Sequence, residues 1–159
     1  MSEFSAFFDN SVLLWSLLSC LLAQFFKIIF NFFSTGNIRI GIMFETGGMP
    51  SSHSALITGA TSGIGLQLGF DSPIFALAIA ISLIVMYDAS GVRRSAGIHA
   101  AEINNLSRKS DPKSELNLKE TLGHTKLEVI VGSLLGPLIT LPGMVFIGSP
   151  LRIFNLIIN

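Results

Sequence analysis

Residues 54–88 read "SALITGATSGIGLQLGFDSPIFALAIAISLIVMYD". Two apolar runs, Ser54 to Phe70 and Pro73 to Asp88, flank "GFDSP", a connection too tight to be anything but a turn. Ser72 is placed to cap the second run. Pro73 takes its first helical position, where an N–H would have no partner anyway. The stretch predicts a helical hairpin. Each arm is shorter than the about 20 apolar residues that a spanning helix needs, so polar flanks must complete both spans. Ala55, Gly59 and Gly63 recur four apart on the first arm, a spacing that lets helix backbones approach closely in lipid.

Outward from the hairpin lie two more apolar segments, Val12 to Phe33 and about Glu128 to Ile147. The latter repeats the small-residue spacing at Gly132 and Gly136, and Pro137 and Pro142 predict a kink in it. Only 13% of the chain is charged, against about 25% in soluble domains, and the mean hydropathy is +0.65. The fold class is therefore all-α: an integral membrane helical bundle of about four transmembrane helices, with residues 1–159 as a single domain. The tail "GSPLRIFNLIIN" is too short to span and is expected as an interfacial segment or a cover on the bundle. The opening "MSEFSAFFDNS" has Glu3 and Asp9 but no lysine or arginine, unlike a secretory signal. A formal net charge of zero offers no bulk attraction for nucleic acid, and none is expected as a partner. Cys20, the single cysteine, sits in an apolar run and reads as a packing residue.

Four spans put the termini and "GFDSP" on one side and the loops 34–52 and 89–123 on the other. All the lysines and arginines except Arg152 lie on or near that second side, with His53, His99 and His124. The positive-inside rule makes it cytoplasmic. Each span brings a polar group to it: Lys27, then His53, then Arg93 and Arg94, then His124 with Glu128. Ionisable residues at such positions are functional candidates.

Gln24, Lys27 and Asn31, three and four apart, share a helix face, which favours a lysine looking into the bundle over one snorkelling to the lipid boundary. "GGMPSSHS" feeds a helix N-terminus, with Ser51 and Ser52 as cap candidates and amides free to hold an anion. His53 in that first turn is placed to give a proton to a leaving group. "YDASGVRRSAG" supplies Arg93 and Arg94, whose planar forks suit phosphate, and either could instead anchor lipid headgroups. Asp88 can orient one of them. "LGHTKLEV" puts His124 and Glu128 at i and i+4, so the carboxylate can hold one ring nitrogen and leave the other as a nucleophile. H-x-x-x-E is not the H-E-x-x-H pattern of zinc proteases, and no ligand cluster completes a metal site. The residues describe phosphate handling, with Lys27, Ser51, Ser52, Arg93 and Arg94 for binding and His53, His124 and Glu128 for chemistry. No metal or other cofactor is called for.

"GGMPSSHSALITG", "VMYDASGVRRSAG" and "LKETLGHTKLEVIVG", in this order, resemble the divergent branch of the type 2 phosphatidic acid phosphatases, small membrane proteins grouped with the acid phosphatase and vanadium haloperoxidase superfamily. The resemblance covers about residues 20 to 136. The wider superfamily hydrolyses lipid or isoprenoid phosphates and diphosphates through a phosphohistidine, with the signature K-x6-R-P, P-S-G-H and S-R-x5-H-x3-D. Lys27 is similar to the first lysine, without the R-P. "PSSH" resembles P-S-G-H with Ser52 for glycine, which implies His53 as proton donor. "HTKLE" resembles H-x3-D with glutamate for aspartate, which implies His124 as nucleophile and Glu128 as its orienting group. The arginine maps onto Arg93 or Arg94, at a longer gap than five. His99 does lie at the five-residue gap from Arg93, but Ile103 stands where the aspartate should be.

The expected activity is metal-independent hydrolysis of a lipid or isoprenoid phosphate, with membrane lipids around the chain. The motif departures motivate an alternative, a non-catalytic membrane protein binding a phosphorylated lipid or anion in the same pocket. A transporter ranks third, since no inverted repeat is present, unless the chain forms a homo-oligomer.

Overall fold

Each helix begins where a side chain can serve its unpaired amides. In the computed structural model, which describes residues 9–45 and 47–153, helix α1 spans Ser11–Thr35 and is capped by Asn10, whose Oδ1 accepts from Leu13 N at 3.0 Å. A short 3-10 turn, Ile40–Phe44, follows. Helix α2, Ser52–Leu68, is capped by Ser51. Helix α3, Pro73–Ser90, has Ser72 at its cap, accepting from Phe75 N at 3.2 Å, and Pro73 in its first turn, as the sequence predicts. Helix α4, Val92–Ser110, comes next, and α5, Lys126–Pro142, continues into a π-helical turn, Gly143–Ile147. No strand occurs among the described residues.

Helix α2 lies at the centre, with α1, α3 and α5 packed around it. The small residues make this possible. A Cβ on Gly136 would overlap the Ala55 carbonyl and Thr58 Oγ1, and one on Gly132 would overlap the Ser51 carbonyl. Hydroxyl groups fill much of the interior, with Ser16, Ser19, Ser54, Thr61, Ser82 and Thr140 buried, while Leu21, Phe25, Leu77 and Leu138 point outward. Inside, Ser19 Oγ donates to the Ala55 carbonyl at 3.0 Å, and Thr61 Oγ1 and Ser82 Oγ share a hydrogen bond of 2.7 Å. Small and polar inside with apolar outside is the arrangement that lipid favours, because the solvent itself is apolar and helices associate by close packing and hydrogen bonds.

Three stretches are long and apolar enough to cross a membrane: Ser11–Thr35, Pro73–Ser110 and Lys126–Ile147. The fourth expected span, α2, has 17 residues, about 25 Å of helix. Its glycines and serines lower its hydropathy, and it is the arm most enclosed by its neighbours.

Residues 89–123, expected as a charged connection, hold the 19-residue helix α4. Its alanines favour helix, and Arg108 and Lys109 in its last turn complement the helix dipole. Residues 118–123 fold back over its Gly97, Ala100 and Asn104 face. Asn104 Nδ2 donates to the Leu118 carbonyl and to Glu120 Oε1, both at 2.8 Å, and Leu118 N donates to Asn104 Oδ1 at 2.8 Å. Pro137 sits inside α5 without ending it, and the π turn follows Pro142. The C-terminal stretch returns over the start of α1: Trp15 Nε1 donates to the Gly148 carbonyl at 2.9 Å, and Leu151 N to Asp9 Oδ1 at 2.8 Å. Its last six residues, and residues 1–8 of the opening stretch, lie outside the described residues.

Candidate functional site

Lys27 is only 2% exposed, deep for a lysine. Its Nζ donates to the Glu45 carbonyl at 3.0 Å, and the charges of Glu128 and Glu45 both act on it. A cavity of about 340 Å³ opens beside it, with Asn31, Gly48, Met49 and Glu128 among its walls. The polar face of Gln24, Lys27 and Asn31 thus does look inward. Gln24 Oε1 is buried without a hydrogen-bond partner, and Asn31 Nδ2 donates to the Asn37 carbonyl at 3.0 Å.

The turn before α2 needs glycine at Gly48, where φ is +89°, and the Met49–Pro50 peptide is cis. Ser51 is fully buried, and its N–H donates to the Glu128 carbonyl at 3.0 Å, which pins the start of α2 to the first turn of α5. Its Oγ caps α2 by accepting from Ser54 N at 3.4 Å. Ser52 is buried beside it. The Ser52 and His53 amides begin the helix and have no acceptor within it. His53 is exposed, within electrostatic reach of Arg93, His124 and Lys27.

His124 is held from several sides. Its N–H donates to the Ala89 carbonyl at 2.9 Å, at the end of α3. Gly123 before it has φ +77°, and a Cβ there would run into the backbone of Arg93 and Arg94. Glu128 Oε2 lies 3.0 Å from the His124 Nδ1 and also accepts from Thr125 N at 3.1 Å, while Glu128 N donates to Thr125 Oγ1 at 3.2 Å. One carboxylate oxygen therefore closes the helix cap and orients the imidazole. Since a carboxylate only accepts, the neutral ring carries its proton on Nδ1 and keeps the lone pair on Nε2. That Nε2 is buried and makes no hydrogen bond of normal geometry; the backbone of Gly48 adds a weaker polar interaction with the ring. Burial pushes the His124 pKa below that of ordinary imidazole, and the Glu128 hydrogen bond and charge push it partly back.

Of the two arginines, Arg93 is engaged: its Nε donates to Asp88 Oδ2 at 2.5 Å, and its charge reaches His53. The Arg94 guanidinium is exposed and makes no ion pair among the described residues. His99 lies out on α4, exposed, on the wall of a hollow with Tyr87 and Gly91. The structure therefore gathers Lys27, Ser51, Ser52, His53, Arg93, His124 and Glu128, and leaves Arg94 and His99 at the edge. Among the described residues no three His, Cys, Asp or Glu side chains form a metal-ligand set.

Sequence reasoning missed three contributors. The Thr125-x-x-Glu128 capping box was visible as a T-x-x-E pattern before an apolar run. The Asn104 clamp was hinted at by Gly97, Ala100 and Asn104 sharing one face. The Glu45 carbonyl on Lys27 carries no sequence signal, because any residue offers a carbonyl.

A family model described as the divergent PAP2 family matches residues 8–139, which contain every residue of this cluster. The chain is also similar to an uncharacterized membrane protein, YuiD, of Bacillus subtilis (strain 168), with 40% identity over 146 residues, covering 83% of this chain and 92% of that protein. No solved structure matches.

Proposed function

The chain belongs to the divergent PAP2 family, and from that premise we propose that this integral membrane protein hydrolyses a lipid or isoprenoid phosphate or diphosphate at the Lys27–His53–His124 cluster. The site is assigned to the cytoplasmic face by the charge bias. One observation carries the reading. His124 is buried with Nδ1 on Glu128 and Nε2 unbonded, beside a buried lysine and within reach of a second histidine and an arginine. A buried imidazole whose basic nitrogen makes no hydrogen bond of normal geometry is available to an incoming electrophile.

Lys27 and Arg93 bind the phosphoryl oxygens, with the first amides of α2 as further donors. His124 Nε2 attacks phosphorus, forming a P–N bond as the P–O bond to the leaving group breaks. His53 gives its proton to the departing oxygen. Glu128 stabilises the positive charge that develops on the ring while holding the Nδ1 proton. Water then attacks the phosphohistidine and gives a proton back to His53. The P–N bond breaks, and inorganic phosphate and neutral His124 are restored. Nε2 is enclosed, so the phosphate reaches it only through a local opening of the site.

That enclosure, with the Lys27 ammonium already bonded to the Glu45 carbonyl, favours a second reading: binding of a phosphorylated lipid or anion without turnover. Purified protein with EDTA separates the two. Under the first, phosphate is released from phosphatidic acid or an isoprenyl diphosphate, and His124→Ala lowers the rate by at least about 10³-fold. Binding with no release, unchanged by His124→Ala, would sink the catalytic reading.

A further inference from the structure

The helical stretch Pro73–Ser110, α3 and α4 together, has 38 residues, about 57 Å at 1.5 Å per residue. A bilayer core is about 30 Å thick, so roughly half of the stretch, α4, must lie beyond it. Helix α4 is amphipathic, with an apolar face among charged residues. Val92, Ala96, His99, Ile103 and Leu106 follow one another at alternating spacings of four and three, so they form one stripe along the helix. All five are exposed, Val92 and Leu106 by 63% and 60%. The face carrying Gly97, Ala100 and Asn104 is already covered by residues 118–123, and the stripe is left open.

The break at Gly91 shows which way the stripe looks. A hollow of about 490 Å³ is lined by residues on both sides of it: Tyr87 of α3, then Gly91, Val92, Ser95, Ala96 and His99. A hollow shared in this way is a concave corner. The first half of the stripe therefore lies on the inner side of the bend, facing back along α3. Tyr87, 76% exposed on the last turns of α3, is the aromatic residue expected at a headgroup boundary. Lys109, in the last turn of α4, stands about 100° to one side of the stripe, where a long cationic side chain reaches phosphates above a buried apolar face.

We propose that α4 lies on the surface of the membrane that the bundle crosses, with its Val92–Leu106 stripe in the headgroup–acyl boundary and phospholipid phosphates against Lys109. The occupant of the stripe is lipid. The placement has a consequence for the site: Gly123 and the start of α4 pack together, so a leaflet-bound α4 holds Arg93 and His124 at the depth of the phosphates in that leaflet. It stands whether or not the cluster is catalytic.

The test uses the full chain with Cys20→Ser, carrying one nitroxide label at a time on Ile103→Cys, Leu106→Cys or Asn105→Cys. Asn105 is exposed and lies about 140° from the stripe. Each is reconstituted in vesicles of phosphatidylcholine with phosphatidylglycerol, and collision with oxygen, which concentrates in lipid, is compared with collision by a water-soluble nickel chelate. The expected oxygen-to-nickel ratio is several-fold higher at Ile103 and Leu106 than at Asn105. Equal ratios at all three sites would mean that α4 stands in water, and would overturn the proposal. So would low access to both reagents at Ile103 and Leu106 with spin–spin broadening that vanishes on dilution into more lipid, which would assign the stripe to a second copy.

Discussion

Gly132→Ala probes the link between packing and site. An ideal Cβ at Gly132 overlaps the Ser51 carbonyl oxygen and lies 3.0 Å from the Ser51 carbonyl carbon. The obstacle is backbone, so no side chain can swing aside, and the peptide involved belongs to the residue whose N–H bonds the Glu128 carbonyl. Restoring a contact of about 3.5 Å requires α5 and the start of α2 to separate by on the order of 1 Å. Overpacking of this kind costs about 1–3 kcal/mol. The same shift separates Glu128 and His124 from Ser51 and His53, and a misplacement of about 1 Å lowers turnover by about 10²-fold. Trp15, the single tryptophan, packs where a Cβ on Gly143 would be, and its fluorescence reports melting of the bundle. Gly41→Ala is the control, because nothing lies within 4 Å of a Cβ there. Gly132→Ala is expected to melt well below Gly41→Ala and to lose phosphate release with it. Equal melting of the two variants would refute the close approach of α2 and α5 from which the site geometry is argued.

Because burial holds the His124 pKa below its ordinary value of about 6.5, the unfolded chain binds a proton near and below that pH that the folded chain refuses. Stability is then full above about pH 6.5 and falls as the pH drops. Glu128→Gln removes the influence that raises the folded pKa, so the loss between pH 7.5 and 5.5, followed by Trp15 fluorescence, is expected to be larger than in the parent, and an equal loss would contradict the assignment. Asn104→Ala removes three hydrogen bonds and strands the Leu118 N–H and carbonyl, at a cost of about 1–3 kcal/mol if both stay buried. Amide hydrogen exchange is expected to accelerate over residues 118–123 while α1 and α2 keep their protection; unchanged exchange there would show that the clamp contributes nothing.

Much of the architecture is written in local patterns. The 54–88 stretch carries its hairpin in Ser72 and Pro73, and Ala55, Gly59, Gly132 and Gly136 announce close helix contact, because caps and small-residue spacings act over one or two turns. The His124–Glu128 pair was legible for the same reason, since i and i+4 are neighbours on any helix. Helix α4 was hidden, because its charges resemble those of a loop and its helical form is supported by a segment that returns twenty residues later.

By itself, then, the sequence determined an all-helical membrane bundle and a set of candidate residues whose types suit phosphate, for these depend on composition and on spacings within single helices. Tertiary structure alone decided which members of that set meet. It set Arg93 against Asp88 with its charge at His53, and brought His124 to the end of α3 through the return of residues 118–123. It also buried Lys27 against the Glu45 carbonyl and closed the His124 Nε2 from solvent. Neighbouring arginines on one helix, or two histidines on one polar face, differ only in direction. That direction is set by the backbone of other segments packing against them.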